Sequence, residues 1–163
     1  MRLFVAIPFD DAMRAALASL QDQMRAQGIK GNYTPVENLH LTLAFIGDYP
    51  DPDDVPLPDF TPFELKLSGY GSFGDLWWAG IEKSSPLEAC VRRLRRQLAE
   101  AGIPFDRKAF SPHITLIRKA DGRPALTVPE TAMNVDHISL MRSERGKRGM
   151  IYTELRRQDA SME

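Results

Sequence analysis

The chain has 163 residues, 43% of them hydrophobic and 26% charged, and its single cysteine is Cys90. This length predicts one domain over residues 1–163, with a core large enough to fold alone. No apolar run reaches the roughly 18 residues that a membrane-spanning helix needs. One cysteine excludes a disulfide framework and a multi-cysteine zinc site. We therefore expect a monomeric protein of the cytoplasm, with no membrane partner.

The net charge of −1 hides an asymmetry between the two halves of the chain. Residues 1–83 carry 6 basic and 12 acidic side chains, whereas residues 84–163 carry 15 basic and 10 acidic ones. Such a difference indicates that the second half meets an anion, although charge spread unevenly over a surface gives the same count.

The first elements are a strand and a helix. Residues 2–7 are apolar on both faces and predict a central, fully buried strand. Asp10 or Asp11 then caps a helix that ends at Gly28. The apolar stripe expected on this helix consists of Met13, Leu17, Leu20 and Met24.

A second strand begins near Leu39, and a loop follows it. Residues 47–62 contain five prolines and five aspartates, which exclude a helix or a central strand. Residues 63–73 and 76–82 then predict two strands, the first with alternating apolar and polar residues at its start.

A second helix has a sharp start signal. Ser85 as N-cap, Pro86 at the first helical position and Glu88 at the third predict a capping box, and Gly102 ends the helix. Its predicted apolar stripe is Leu87, Val91, Leu94, Leu98 and Ala101. Its basic residues fall off that stripe and predict a solvated face rather than an RNA-binding one: Arg92, Arg93, Arg95 and Arg96.

Four more strands complete the chain. We predict them at residues 111–119, near Leu126, at 136–141 and at 150–155.

Two of the predicted strands carry the same short pattern. Residues 39–43 read Leu-His-Leu-Thr-Leu and residues 112–116 read Pro-His-Ile-Thr-Leu, 73 positions later. Because side chains alternate along a strand, each histidine shares a face with the threonine two residues on, about 7 Å away along the backbone. A single such pair is most often a half-exposed pair without a role, but the chain has only three histidines and two of them fall in this pattern.

If the two strands face each other, they place two imidazoles and two hydroxyls around one groove. A neutral imidazole can accept a proton and a protonated one can donate it, because the unperturbed pKa lies near 6.5. Hydroxyl groups can donate hydrogen bonds to the oxygens of a phosphate. The set fits displacement at phosphorus and needs no metal or other cofactor. The alternative is a zinc site made of His40, His113 and His137.

The segments NLHLTLAFIG and FSPHITLIRK, with the opening strand RLFVAIP, resemble the 2H phosphoesterase superfamily, specifically its RNA 2′,3′-cyclic phosphodiesterase (2′-5′ RNA ligase) family. The resemblance runs from about Arg2 to Leu155. It implies an α+β fold of two pseudo-symmetric lobes of antiparallel sheet, with helices outside and a central cleft. It also implies that His40 and His113 are the acid–base pair and that Thr42 and Thr115 bind phosphate.

The resemblance adds Arg118 as a phosphate-binding residue and Phe45 as a cleft residue. Arg118 lies five positions after His113, so on a regular strand it points away from the site, and a bulge or strand end after Leu116 is needed to turn it inward. An arginine exposed at a strand exit is the alternative. The chain departs from the family where residues 48–62 replace a helix that usually covers the first lobe.

A basic segment between the last two strands offers further substrate contacts. Residues 142–149 predict a mobile loop whose charges, Arg148 included, can follow a phosphate backbone, although an ordinary exposed loop looks the same. Tyr152, Trp77 and Trp78 are either base-stacking residues or core residues.

The expected function is metal-independent hydrolysis of the 2′,3′-cyclic phosphate at an RNA 3′ end to a 2′-phosphate, with 2′-5′ ligation by the same site. Which histidine is the acid stays open. The alternatives are an enzyme for small cyclic nucleotides or ADP-ribose cyclic phosphate, and a module that binds RNA ends without catalysis.

Overall fold

The computed structural model describes residues 1–161, which form two antiparallel sheets and two α-helices. The first sheet has the order β3-β1-β8-β9, with bounds β3 His40–Asp48, β1 Arg2–Pro8, β8 His137–Gly146 and β9 Gly149–Asp159. The second has the order β2-β6-β5-β4-β7, with bounds β2 Asn32–Tyr33, β6 His113–Arg118, β5 Leu76–Ile81, β4 Phe63–Phe73 and β7 Ala132–Val135. The predicted α+β fold of two sheet lobes is confirmed. No helix among the described residues is long and apolar enough to cross a membrane.

The first strand is central, as its apolar run predicts. β1 pairs with β3 on one side and with β8 on the other. Leu3 to Ile7 are all buried, because both faces of this strand are covered.

Helix α1, Asp11–Ala26, begins and ends where the sequence indicates. Asp10 is the N-cap, and its carboxylate accepts a hydrogen bond from the backbone N–H of Met13 at 2.8 Å. Gly28 has a positive φ of 78°, which ends the helix in the conformation that glycine adopts most easily. The predicted apolar stripe is fully buried.

Helix α2, Ser85–Glu100, corrects the predicted cap by one residue. The N-cap is Ser84, whose hydroxyl accepts a hydrogen bond from the N–H of Leu87 at 3.2 Å. Glu88 therefore lies one position beyond the capping-box glutamate, and the predicted box is wrong. Ala101 lies after the helix and is exposed, whereas Cys90 joins the buried stripe.

The proline-rich segment covers the first lobe without an α-helix. It contains one short 3-10 turn, Pro52–Asp54, and buries Val55 and Phe60 in the core. The guanidinium of Arg156 on β9 donates hydrogen bonds to the carbonyls of Pro52 and Val55 at 2.9 and 2.7 Å. Apolar anchors and one arginine thus hold this segment in place.

The strand predicted near Leu126 does not form, and the strand in this region is β7, six residues later. The N–H of Thr127 donates to the side chain of Gln23 on α1. The N–H of Ala125 donates to the side chain of Gln27, the residue directly after this helix. These backbone groups therefore have side-chain partners instead of a neighbouring strand.

The N-cap of α1 gives a direct test of this local structure. Asp10→Ala should lower the free energy of unfolding by about 1 kcal/mol, because the N–H of Met13 loses its acceptor. Asp22→Ala, at an exposed position of the same helix, is the matched control and should change stability much less. Urea denaturation measures both, and equal effects of the two substitutions would contradict the capping role.

Candidate active site

Strand β6 carries the bulge that Arg118 requires. Its pairing with β5 passes directly from Thr115 to Ile117, so Leu116 is an extra residue with no partner on β5. Leu116 and Ile117 are both buried, which breaks the alternation of the strand. Arg118 consequently lies on the same side as His113 and lines the same cavity.

Strand β3 has the same irregularity at the same place. Its pairing with β1 passes from Thr42 to Ala44, and Leu43 is the extra residue. Phe45, five positions after His40, therefore returns to the face of His40 just as Arg118 returns to the face of His113. Its ring is 38% exposed, and the guanidinium of Arg2 lies 5.2 Å from the ring centroid.

The two motif strands line one cavity of about 200 Å³. Seven of the predicted site residues surround it: His40, Thr42, Phe45, His113, Thr115, Arg118 and Tyr152. The remaining lining residues are Phe4, Thr34, Asn38 and Ser143, which sequence patterns did not indicate.

The imidazole of His40 is held on both sides. Its Nδ1 lies 2.7 Å from the carbonyl oxygen of Asn38, so this nitrogen carries the proton and donates a hydrogen bond to the carbonyl. Its Nε2 lies 2.9 Å from the hydroxyl oxygen of Thr42. The ring packs against both Phe4 and Tyr152, with centroid distances of 4.9 and 5.2 Å, and these two rings also contact each other at 5.1 Å.

This environment lowers the pKa of His40 below 6.5. The largest cause is burial, which disfavours the charged ring, and the nearby charges of Arg118 and His113 act in the same direction. The hydrogen bond to the Asn38 carbonyl opposes them, since it favours the protonated ring. His40 is therefore neutral at neutral pH, with the lone pair of Nε2 toward Thr42.

The imidazole of His113 has a matching arrangement. Its Nδ1 lies 2.8 Å from the carbonyl oxygen of Ser111, again two residues earlier in the chain. The ring contacts Phe73 edge-on with a centroid distance of 5.1 Å, and Trp78 lies at 6.5 Å. In both histidines, a backbone carbonyl fixes Nδ1 as the protonated nitrogen and leaves Nε2 for chemistry.

Asn38 anchors the histidine of the first lobe to a distant strand. Its side chain is 8% exposed, and its Nδ2 donates to the carbonyl of Met150 on β9 at 2.9 Å. Its own carbonyl accepts from His40. A link across 112 residues has no periodic signal in the sequence, which explains why pattern analysis misses it.

The family model of the 2′-5′ RNA ligase superfamily matches residues 9–147 of the chain. The chain belongs to this superfamily. It is 34% identical to the RNA 2′,3′-cyclic phosphodiesterase of Thermus thermophilus, over 95% of this chain and 88% of that protein. It is 30% identical to the protein of the same name from Geobacillus stearothermophilus, over 88% of this chain, and spans about half (52%) of that longer protein.

Solved structures agree with this family. The apo form of E. coli LigT superposes with a TM-score of 0.81 at 26% identity, covering 98% of this chain and 97% of LigT. TT0787 of Thermus thermophilus gives a TM-score of 0.78 at 32% identity, with coverage of 98% and 97%. The chain is thus a 2H phosphoesterase, a hydrolase of the phosphodiesterase kind.

The third histidine of this 2H phosphoesterase lies elsewhere. His137 begins β8, and its Nδ1 lies 2.6 Å from a carboxylate oxygen of Asp136. Within residues 1–161, no three histidine, cysteine or acidic side chains are grouped so that they could hold a metal ion. The three-histidine zinc alternative is therefore wrong.

Arg95 corrects the prediction of a solvated arginine face on α2. Its Nη1 donates to the carbonyl of Lys108 at 2.7 Å, and its Nη2 donates to the carbonyl of Leu43 at 3.3 Å. The guanidinium lies 5.8 Å from the ring centroids of both Phe105 and Phe110. Burial lowers its pKa, although the charge of Asp106 opposes this. Arg92, Arg93 and Arg96 are exposed, as predicted.

The basic segment is an ordered hairpin rather than a loop. β8 continues to Gly146 and β9 begins at Gly149, so only Lys147 and Arg148 form the turn. Arg142 forms an ion pair with Glu144 at 2.7 Å inside β8. The mobile loop predicted over residues 142–149 is therefore wrong, because the pairing of β8 with β9 extends to Gly146 and Gly149.

A basic groove of about 620 Å³ connects this hairpin to the cavity. It shares four lining residues with the cavity: Thr34, Asn38, Arg118 and Tyr152. Among the residues that the structure describes, four cationic side chains line the groove and no carboxylate does: Arg118, Arg145, Lys147 and Arg148. Arg148 thus belongs to this basic groove and does not line the cavity itself.

The three aromatic residues considered for base stacking lie in different parts of the structure. Tyr152 lines the cavity, whereas Trp77 is 7% exposed and belongs to the core. Trp78 contacts Phe73 and supports the ring of His113 from β5.

The lowered pKa of His40 can be measured by following its ring protons in an NMR titration. His40 should titrate below pH 6.5, and Arg118→Gln should raise its pKa part of the way back, because one nearby positive charge is removed. Arg145→Gln removes the same charge from the exposed hairpin and is the matched control. A His40 pKa at or above 6.5, or an equal shift in both variants, would contradict the described electrostatics.

Proposed function

We propose that the chain, acting as one bilobal domain, hydrolyses the 2′,3′-cyclic phosphate at the 3′ end of RNA to a 2′-phosphate, with His40 and His113 as its acid–base pair and without a metal ion. The observation that carries the proposal is the cavity that holds both histidines, each with Nδ1 bound to a carbonyl two residues earlier. The relatives from Thermus and Geobacillus, both named RNA 2′,3′-cyclic phosphodiesterase, support the choice of substrate.

His40 is the general base in this mechanism. Its lowered pKa keeps the ring neutral, so Nε2 can take a proton from a water molecule as the water oxygen attacks phosphorus. The bond from phosphorus to the 3′ oxygen breaks on the opposite side. Protonated His113 gives its proton to that oxygen, which leaves a 3′-hydroxyl and a 2′-phosphate.

Three further side chains stabilise the charge on phosphorus. The hydroxyls of Thr42 and Thr115 and the guanidinium of Arg118 line the same cavity. They can donate hydrogen bonds to the two non-bridging oxygens, whose negative charge increases in the transition state. For this, the O–H of Thr42 turns from Nε2 of His40 to a phosphate oxygen when the substrate binds, which frees the lone pair of Nε2 for the water. Arg118 and protonated His113 supply the positive charge that a metal ion supplies in other phosphodiesterases.

The basic groove favours RNA over a small cyclic phosphate. A small cyclic phosphate that binds at the cavity alone would leave the adjoining groove of about 620 Å³, with its four cations, without a ligand. An RNA strand that ends in the cavity would place its preceding phosphates along these cations. The same cavity allows 2′-5′ ligation, since an RNA 5′-hydroxyl can replace water as the attacking group.

The acid–base assignment predicts the effect of removing each histidine. His40→Ala and His113→Ala should each lower kcat on a cyclic-phosphate oligonucleotide by about 10²- to 10⁴-fold in EDTA, and the double variant should be little worse than either. His137→Ala is the matched control and should keep full activity, because His137 lies outside the cavity. End-group analysis of the product, with the rate, makes the measurement.

Several results would refute this function. Turnover by the double variant at the wild-type rate would exclude the histidines, and a 3′-phosphate product would exclude the assigned leaving oxygen. Tight binding of the oligonucleotide by the wild-type protein without turnover would indicate a binding module.

The lowered pKa of His40 also predicts how activity depends on pH. As the pH falls, kcat/KM should decrease only below pH 6.5, since His40 must be neutral to act as base and its pKa is lowered.

The groove can be tested separately from the chemistry. Replacing Lys147 and Arg148 together by glutamine should lower kcat/KM for an oligonucleotide by about tenfold or more at low salt and reduce its salt dependence. The same variant should cleave a 2′,3′-cyclic mononucleotide at the wild-type rate. Arg92→Gln with Arg96→Gln, which removes two exposed charges from α2, is the matched control. Equal losses on both substrates would exclude the groove as an RNA site.

A further inference from the structure

The bulge residue of β6 is Leu116, which has no partner on β5. Its carbonyl is bound by groups from helix α1 and from the end of β2. The carbonyl oxygen of Leu116 accepts from the side-chain Nε2 of Gln21 at 3.0 Å. It also accepts from the backbone N–H of Thr34 at 3.0 Å. Both contacts meet at the residue that reverses the alternation of β6.

Gln21 is one of the few buried polar side chains among the described residues, at 1% exposure on helix α1. Its Nε2 also donates to the carbonyl of Thr34, at 2.7 Å. One amide group thus joins the bulge of β6 to the residue that follows β2. Glutamine is rarely buried in a helix stripe unless its hydrogen bonds are satisfied, and here both amide hydrogens have carbonyl acceptors.

The bulge decides which face Arg118 occupies. Shifting a strand by one residue moves the side chains that follow to the other face. If the extra residue at Leu116 were lost to regular pairing, Arg118 would point away from His113 and the cavity. The groups that bind the Leu116 carbonyl therefore act on the position of Arg118.

The first lobe repeats this arrangement with different residues. The bulge carbonyl of Leu43 on β3 accepts from the guanidinium of Arg95 on α2 at 3.3 Å. That guanidinium is tied to the carbonyl of Lys108 at 2.7 Å. In each lobe, a helix side chain thus binds the carbonyl of the residue three positions after the motif histidine. The side chain two positions further on, Phe45 or Arg118, lines the cavity.

We propose that Gln21 is a positioning residue of the active site, which holds the Leu116 bulge and thereby directs Arg118 at the substrate phosphate. Arg95 has the same role in the first lobe, where it holds the Leu43 bulge and thereby directs Phe45 at the cavity. The role of Arg118 on phosphate rests on the proposed function, whereas its position beside His40 does not.

The first test is a double-mutant cycle between Gln21 and Arg118 on a cyclic-phosphate oligonucleotide. Gln21→Met keeps the volume but donates no hydrogen bond, and it should lower kcat/KM by about tenfold. Arg118→Ala should lower kcat/KM by about 10²-fold. The double variant should match Arg118→Ala alone, because Gln21 acts through Arg118. Losses that multiply, or an unchanged Gln21→Met enzyme, would overturn the proposal.

A matched control separates positioning from lost stability. Leu20→Ala removes a fully buried side chain next to Gln21 and should lower Tm at least as much as Gln21→Met. At a temperature where both variants are folded, Leu20→Ala should keep the wild-type kcat/KM. A loss in Leu20→Ala equal to that in Gln21→Met would assign Gln21 a structural role only.

The second test does not depend on activity. The charge of Arg118 lowers the pKa of His40, so Gln21→Met should raise the NMR-measured pKa of His40 as Arg118→Gln does. Leu20→Ala should leave it unchanged. If the wild-type protein does not turn over the oligonucleotide while this shift is seen, the proposed function fails and the positioning role stands. No shift in Gln21→Met would overturn the positioning role.

Discussion

The site depends on one extra residue in each motif strand. A regular strand places every second side chain on one face, so a histidine and the threonine two positions later face the cleft together. The side chain five positions after the histidine would face away. The bulges at Leu43 and Leu116 reverse the alternation, so that Phe45 and Arg118 return to the cleft. A short strand can thereby present three side chains to one phosphate.

The same two strands orient both motif histidines in the same way. Each donates a hydrogen bond from Nδ1 to a carbonyl two residues earlier, which leaves Nε2 as the unprotonated nitrogen of the neutral ring. The surroundings then differ. His40 is enclosed by Phe4 and Tyr152, and burial lowers its pKa. In the proposed mechanism, two copies of one motif can thus act as base and as acid. The basic groove adds three more cationic side chains beside Arg118, where the phosphates of an RNA strand would lie.

Local patterns predicted much of the fold. The run of β1, the stripe of α1 and the positive φ at Gly28 each follow from side chains within a few residues of one another. Alternation also showed that Arg118 needs a bulge. One error is of the same local kind. Ser84 rather than Ser85 caps α2, because two adjacent serines stand at the start of the helix and either could be the N-cap by residue type.

The remaining features are contacts between distant parts of the chain. Gln21 meets Leu116 across 95 residues, and Arg95 meets Leu43 across 52. Both are polar side chains on helices, and of the two only Arg95 had a predicted place, on the solvated face of α2. Their partners are backbone carbonyls, which every residue type carries. Periodicity carries no information about such bonds. The loss of the expected strand near Leu126 has the same origin, because one glutamine of α1 and another directly after this helix bind that backbone.

In the proposed mechanism the two motif histidines act on opposite sides of one phosphorus atom. A crystal structure with uridine and vanadate tests this arrangement, because vanadium in this adduct takes the trigonal-bipyramidal geometry of an in-line displacement. The two axial oxygens should lie within hydrogen-bond distance of Nε2 of His40 and Nε2 of His113, one each, with Arg118 on an equatorial oxygen. An adduct bound with both histidines on one side of vanadium, or with neither Nε2 in contact, would contradict the account.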